Sequence, residues 1–237
     1  MTEKLSRKER DILRLLHSNC HLGSQNYNVQ MKRFISTFNR SGVPIFDLNQ
    51  TYQRILLAAR VIAGVADLKD VYAISSRESG QRAVVKFASY TDCSVTSATK
   101  WTPGSLTNYE TKQFKEPKLL IIVDPHADAK PIKEASYANI PVIALCDTHS
   151  NLKCVDIAIP CNNNNTESIS MIFWLLAREV LVLRGKLDRS KEWDVIVDLF
   201  YAKNMDALKD EEDEEDEEDG EDDAEEESKD KDESEEE

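Results

Sequence analysis

The sequence predicts a three-layer α/β fold, a parallel sheet of about five strands covered by helices on both faces. Two observations predict it. Short apolar, β-branched runs alternate along the chain with segments of helical length and spacing. A long helical segment at residues 166–184 is apolar on nearly all sides, so it must be buried on more than one face, in its own domain or against a neighbour.

The elements follow in order. Residues 6–18 read as a helix with Ile12, Leu13 and Leu16 on one face. Arg7, Arg10, Arg14, His17 and His21 recur every three or four residues, which places them on one basic stripe. Strands are expected at 43–48, 71–75, 94–99, 119–123 and 142–146, with a short sixth at 156–160. Helices are expected at 50–66, 79–89 and 131–138. Ser75-x-x-Glu78 fits a capping box opening the second of these. Thr102-Pro103-Gly104-Ser105 suits a type II turn, with Pro presetting φ and Gly accepting a positive φ. Residues 191–203 read as a last helical or irregular packing segment. From Asp210 onward the chain is an acidic low-complexity run that cannot bury a core. The expected organisation is one α/β domain over residues 1–205 and a disordered acidic tail over 206–237.

The net charge of −14 conceals an opposition. Residues 210–237 hold 22 acidic side chains against Lys229 and Lys231, a net of −20. The remainder carries 28 basic and 22 acidic residues, a net of +6, and the first sixty residues alone carry +6. A basic folded part is the footprint of a polyanion binder. Five cysteines without a C-x-x-C pair argue against a disulfide framework or a structural zinc site. The N-terminus is polar, and the longest apolar run, 171–177, is interrupted by Arg178 and Glu179. A soluble chain of a reducing compartment is expected, with no membrane contact.

A sheet of this flavodoxin- or Rossmann-like kind invites the guess of a nucleotide-binding enzyme. The seven glycines lie at 23, 42, 64, 80, 104, 185 and 220, so no G-x-G-x-x-G and no P-loop can be written. No G-x-S-x-G nucleophile elbow exists either. One decoy is sharper. The strand at 119–123 runs into Asp124-Pro125-His126-Ala127-Asp128, and the strand at 142–146 into Asp147-Thr148-His149. A metal-dependent hydrolase would place Asp124, Asp128 and His149 there. The alternative is that these side chains cap helices and fill polar loops. No metal, cofactor, small-molecule substrate or catalysis is expected, and stoichiometric metal in purified protein would overturn that.

Basic side chains mark an RNA-binding expectation. Arg77, Arg82 and Lys86 cluster at one helix start, where free backbone N–H groups and a positive dipole end attract phosphate. Lys32, Arg33 and Arg40 extend the N-terminal basic group. Lys100 can neutralise a phosphate, Trp101 can stack on a base, and Asn108 can hydrogen-bond RNA or tie its loop down. Each has a bland counterpart: Trp101 as a packing anchor, the basic residues as a solvated face.

Residues 74–88, I-S-S-R-E-S-G-Q-R-A-V-V-K-F-A, and residues 100–108, K-W-T-P-G-S-L-T-N, resemble the signature of the eukaryotic small-subunit ribosomal protein SA family, also called the laminin-receptor precursor. Bacterial relatives form the second protein of the small subunit. H-L-G at 21–23, L-L-A-A-R at 56–60, E-A-S-Y at 134–137, P-V-I-A-L-C at 141–146, V-D-I-A-I-P-C-N-N at 155–163 and L-A-R-E-V-L at 176–181 fit the same family. The likeness spans about residues 5–203. It implies a structural component of the cytosolic small subunit that binds rRNA and neighbouring ribosomal proteins and takes part in subunit maturation. It implies a cytoplasmic location on ribosomes, and a nuclear one during assembly. On this reading the rRNA-binding residues are Arg7, Arg10, Arg14, His21, Lys32, Arg33, Arg40, Arg77, Arg82, Lys86, Lys100, Trp101 and Asn108. Lys100-Trp101 stand where most eukaryotic relatives have Arg-Phe, and lysine cannot reproduce a bidentate guanidinium contact. The resemblance also carries a second role, laminin binding at the cell surface, through residues 159–185.

Overall fold

The computed structural model describes residues 6–96, 101–112, 114–189, 191 and 193–202. Lys100, residues 97–99 of the expected third strand and the acidic tail lie outside them. The chain opens with helix α1 (Arg7–His17). Ser6 and Glu9 form a capping box that stops the helix fraying: the Ser6 hydroxyl accepts from the Glu9 N–H, and the Glu9 carboxylate accepts from the Ser6 N–H at 2.7 Å. A 3₁₀ turn over Val29–Phe34 leads into a hairpin of β1 (Ile35–Phe38) and β2 (Pro44–Phe46). Helix α2 (Leu48–Gly64), β3 (Val71–Ile74), α3 (Glu78–Thr91), β4 (Ser94–Thr96), β5 (Leu119–Ile122), α4 (Ala129–Tyr137), β6 (Val142–Cys146), β7 (Ile157–Pro160) and α5 (Thr166–Leu183) follow.

Five strands form one parallel sheet in the order β4-β3-β5-β6-β7. From β3 the chain moves outward to β4, then returns past β3 to β5 and continues in the other direction. The two directions of winding leave a crevice at the carboxyl ends of β3 and β5. The period of two along each strand separates two cores. Val71, Ala73, Leu119, Ile121, Ile143 and Leu145 face the α1, α2, α3 and α5 side. Ile74, Leu120, Ile122, Val142, Ala144 and Cys146 face the other side, with Met31, Phe34, Leu106 and Ile132.

Helix α5 resolves the question its composition raised. It packs between α2 and α3 within its own domain, and every residue from Ser168 to Leu181 is buried. The segment 159–185 named for laminin binding is therefore mostly interior; Phe173 and Trp174 are 1% and 4% exposed. Among the described residues no helix is long and apolar enough to cross a membrane.

Three expectations need correction. The run at 43–48 is a strand, but β2 pairs antiparallel with β1 and not with the sheet. Its place as fifth strand is taken by β7, which pairs with β6 along its length and supplies Ala158 to one core and Ile159 to the other. Strand β1 was unread because Ser36, Thr37 and Phe38 are exposed and carry no buried alternation. The capping box at Ser75 and Glu78 does not form. The N-cap is Arg77, and the buried Ser75 hydroxyl donates instead to the Arg77 carbonyl at 2.9 Å.

Of the expected segment 191–203, residues 191 and 193–202 are described and are largely irregular, with a 3₁₀ turn at Val197–Phe200 anchored by the buried Phe200 ring. The turn at 102–105 has the expected positive φ at Gly104, with the Ser105 N–H and hydroxyl both donating to the Thr102 carbonyl.

Candidate nucleic-acid interface

The crevice where an α/β enzyme would seat its ligand is filled by this chain's own side chains. Arg77 Nε lies 2.8 Å from the buried Asp124 Oδ2, and its guanidinium donates to Asn164 Oδ1 at 2.7 Å and to the Asn163 carbonyl at 3.3 Å. The Asn163 amide and the His126 N–H donate to Asp124 Oδ1. The Ser76 N–H and hydroxyl donate to Asp128. Burial raises the Asp128 carboxyl above its ordinary value, against the lowering effect of these Ser76 bonds. Gly80 lets α3 press onto the sheet here: a Cβ would sit 2.6 Å from Ser75 Oγ and 2.9 Å from Val123 Cγ1.

The carboxylate at the end of the neighbouring strand β6, Asp147, is likewise engaged within the chain. Asp147 accepts from the Ser24 hydroxyl, the Thr148 N–H and the Asn164 amide, with His149 Nδ1 3.4 Å away. His126 and His149 meet edge to face, 6.0 Å apart. These carboxylates brace loops. Among the described residues no group of three or more His, Cys, Asp or Glu is placed to hold a metal ion.

The basic candidates fall into three groups. Arg77 and Arg82 are engaged internally, Arg82 donating to the Leu199 carbonyl at 3.2 Å, while Lys86 is half-buried one turn on. Trp101 is half-buried against the second core beside Leu106 and Leu120, and Asn108 ties its own loop by accepting from the Glu110 N–H. These placements serve packing first.

Lys32, Arg33 and Arg40 are exposed. The first two sit on the 3₁₀ turn, where the Arg33 guanidinium lies 4.6 Å over the Phe34 ring. Arg40 projects from the hairpin tip, held by bonds between Asn39 and Val43 and between Gly42 and Asn39. Beside them Tyr27 and Phe38, half exposed, face each other at 5.6 Å. Sequence reasoning passed over both rings; a tyrosine and a phenylalanine outside any apolar pattern were the available signal.

The third group runs along α1. Arg7 donates to the Arg189 carbonyl and to Glu179, and Arg14 lies 3.6 Å from Asp11 and over the Trp174 ring. His21 is half-buried, and burial pulls its imidazole below the ordinary value of 6.5. Beneath the stripe, Arg178 donates to both oxygens of Asp11 at 2.9 and 2.7 Å and to Glu179 at 3.0 Å. Burial acts to lower the Arg178 guanidinium, and the bonds and charges of Asp11 and Glu179 raise it more. Arg178, Arg189, Lys191 and Trp193 were not read as site residues. The signal was present as a charged pair, Arg178-Glu179, inside an apolar helix.

A family model described as ribosomal protein S2 matches residues 15–115 and 111–182. The small ribosomal subunit protein uS2 of Diaphorina citri is 48% identical over 208 residues, covering 88% of this chain and 69% of that protein. Protein uS2B of Schizosaccharomyces japonicus is 48% identical over 208 residues, 88% of this chain and 73% of its own. Protein uS2 of Aspergillus fumigatus is 50% identical over 203 residues, 85% of this chain and 68% of its own. With a filled crevice, a basic surface and likeness of this extent, the chain belongs to the ribosomal protein S2 family.

Proposed function

We propose that this protein is a structural component of the small ribosomal subunit, held there by rRNA and by neighbouring ribosomal proteins, without catalytic activity. The observation that carries the reading is the near 50% identity, over most of the chain, to proteins named for the small subunit. The geometry agrees in kind. The ligand crevice of the fold is spent on internal contacts, and the exposed charge lies elsewhere, on α1, the 3₁₀ turn and the hairpin. Lys32, Arg33 and Arg40 would neutralise phosphates, while Tyr27 and Phe38 offer faces for a ribose or an unstacked base. Arg77, Arg82 and Lys86 would contribute mainly by holding α3 in place. Lys100 and Trp101 would border a further contact. The protein would reside on cytoplasmic ribosomes, and in the nucleus while subunits assemble.

Sedimentation of a cell extract tests this. The protein should co-migrate with small subunits and leave those fractions when rRNA is digested. A Lys32→Glu/Arg33→Glu/Arg40→Glu variant should fold normally by circular dichroism and be depleted from small subunits. Migration of the wild-type protein only at the top of the gradient would refute the ribosomal reading.

A further inference from the structure

Residues 23–28 belong to no helix or strand, yet their backbone is fixed at both ends. At the front, the Gly23 N–H donates to the Pro44 carbonyl at 3.0 Å and Leu22 bridges Ile45, so the segment rests on β2. At the back it is held by the turn after β6. That turn carries Asp147-Thr148-His149, the sequence that invited a metal and that RNA binding leaves without a role.

Thr148 brackets Tyr27. Its hydroxyl donates toward the Asn26 carbonyl, 3.0 Å away, on one side of the tyrosine. Its carbonyl accepts from the Asn28 N–H at 2.7 Å on the other. The same hydroxyl accepts from the Ser24 N–H at 3.0 Å, and the Asp147 carboxylate accepts from the Ser24 hydroxyl. The turn is itself closed: the Asp147 N–H donates to Ser150 Oγ at 3.0 Å, and the Ser150 N–H to the Asp147 carbonyl at 3.1 Å. Asp147, Thr148 and Ser150 are fully buried, so the loop stands on a rigid support.

What this support presents is a ring. Tyr27 is 49% exposed and meets Phe38, 51% exposed at the end of β1, with centroids 5.6 Å apart and planes at 59°. Strand β1 pairs with β2, on which the front of the loop also rests, so both rings are positioned from one strand. Residues 12–46, which carry both rings, hold Arg14, Lys32, Arg33 and Arg40 and neither aspartate nor glutamate.

We infer that Tyr27 and Phe38 form a preordered stacking platform for one unstacked base of single-stranded RNA, with Thr148 as its positioning residue; this rests on the reading of the chain as an RNA-bound ribosomal protein. A base offers a flat π-face to a ring already in place, and its phosphates suit the cations of the same segment. Fixing the loop beforehand removes an ordering cost from binding. An apolar contact from a protein neighbour is the competing occupant. It is disfavoured because the rings stand in a segment whose charged side chains are all cationic.

The probe is a fluorescein-labelled decauridylate titrated against the full chain, followed by anisotropy at several salt concentrations. Tyr27→Ala should bind about tenfold more weakly. Its log–log salt slope should match wild type, because stacking releases no counterions. A labelled abasic decamer, with the same phosphates and no bases, should bind wild type and Tyr27→Ala equally. Thr148→Val keeps the buried shape and removes the hydroxyl; it should weaken decauridylate binding in the same sense, and Thr148→Ser should recover most of the loss. In the Thr148→Val background Tyr27→Ala should have little further effect. Ser24→Ala, which loosens the same loop from Asp147, provides the same cycle if Thr148→Val does not fold, as unfolding midpoints would show. Wild-type affinity of Tyr27→Ala for decauridylate, or an equal loss on the abasic decamer, overturns the platform. Full additivity of the loop and Tyr27 changes overturns the positioning role. None of these results touches the ribosomal reading, whose failure would show instead in the sedimentation profile.

Discussion

Arg178, near the C-terminal end of α5, holds Asp11, in the middle of α1, by two parallel hydrogen bonds of 2.9 and 2.7 Å, and both residues are buried. The N-terminal helix is thereby clamped to the last helix across 167 positions of sequence. The contact decides where the basic stripe of α1 points.

Removing one partner leaves an uncompensated buried charge. Asp11→Leu should destabilise the fold by about 3–5 kcal/mol, and Asp11→Leu/Arg178→Met should recover a large part of that loss. Urea unfolding of the two variants against wild type measures both. A double variant as unstable as the sum of its single changes would show that the pair does not act as a unit.

Gly23, the glycine of His-Leu-Gly, is required by close approach. A Cβ there would collide with the Thr148 methyl and sit 3.1 Å from the Pro44 carbonyl oxygen. Thr148 cannot give way, because its hydroxyl donates toward the Ser24 and Asn26 carbonyls and it is fully buried. Gly23→Ala should cost about 1–3 kcal/mol. Gly64→Ala, at the end of α2 with no atom within 4 Å, should be neutral or stabilise by up to about 1 kcal/mol. Thermal midpoints measured side by side would expose an inverted order.

Asp128 makes a pH prediction. Its native carboxyl is raised above the ordinary 3.8 by burial. Below 3.8 both folded and unfolded states are protonated and the group contributes nothing. As pH rises from there through the native value, the folded state must hold a charge it disfavours, so stability declines over that window. Asp128→Asn, which can still accept from Ser76, should be at least as stable as wild type at pH 7 and lose less stability on going up from pH 4. Denaturant midpoints at intervals between those values supply the test, and a variant less stable throughout would reject it.

Trp101 packs beside Leu106 and Leu120, with its indole Nε1 buried. Trp101→Ala should lower stability by about 2–4 kcal/mol, and Trp101→Phe by less. An alanine variant with an unchanged unfolding midpoint and weakened RNA binding would instead establish the ring as a stacking platform.

Much of the architecture was legible because it depends on local period. The pure apolar runs of β5 and β6 can only be strands covered on both sides, and α5, apolar all round, had to be enclosed. Strand β1 was not legible, since three of its four residues face solvent and carry no alternation. Nor was the assignment of β2 outside the sheet, because a short apolar run does not say which edge it will join. Of the candidate RNA residues, sequence picked out charge but not availability. Arg77 and Lys32 look alike in one dimension. One is 2.8 Å from a buried aspartate and the other is exposed.

By itself the sequence determined the α/β class, the basic character of the chain outside residues 210–237, the absence of a glycine cradle and the likeness to a ribosomal family. All of these are properties of composition, spacing and motif, which survive without coordinates. The tertiary structure alone decided which charges are spent and which remain. Ion pairing is set by through-space distance, and Asp11, Arg178, Glu179, Arg7 and Arg189 meet only because α5 threads between α2 and α3 and carries its one charged pair to the foot of α1.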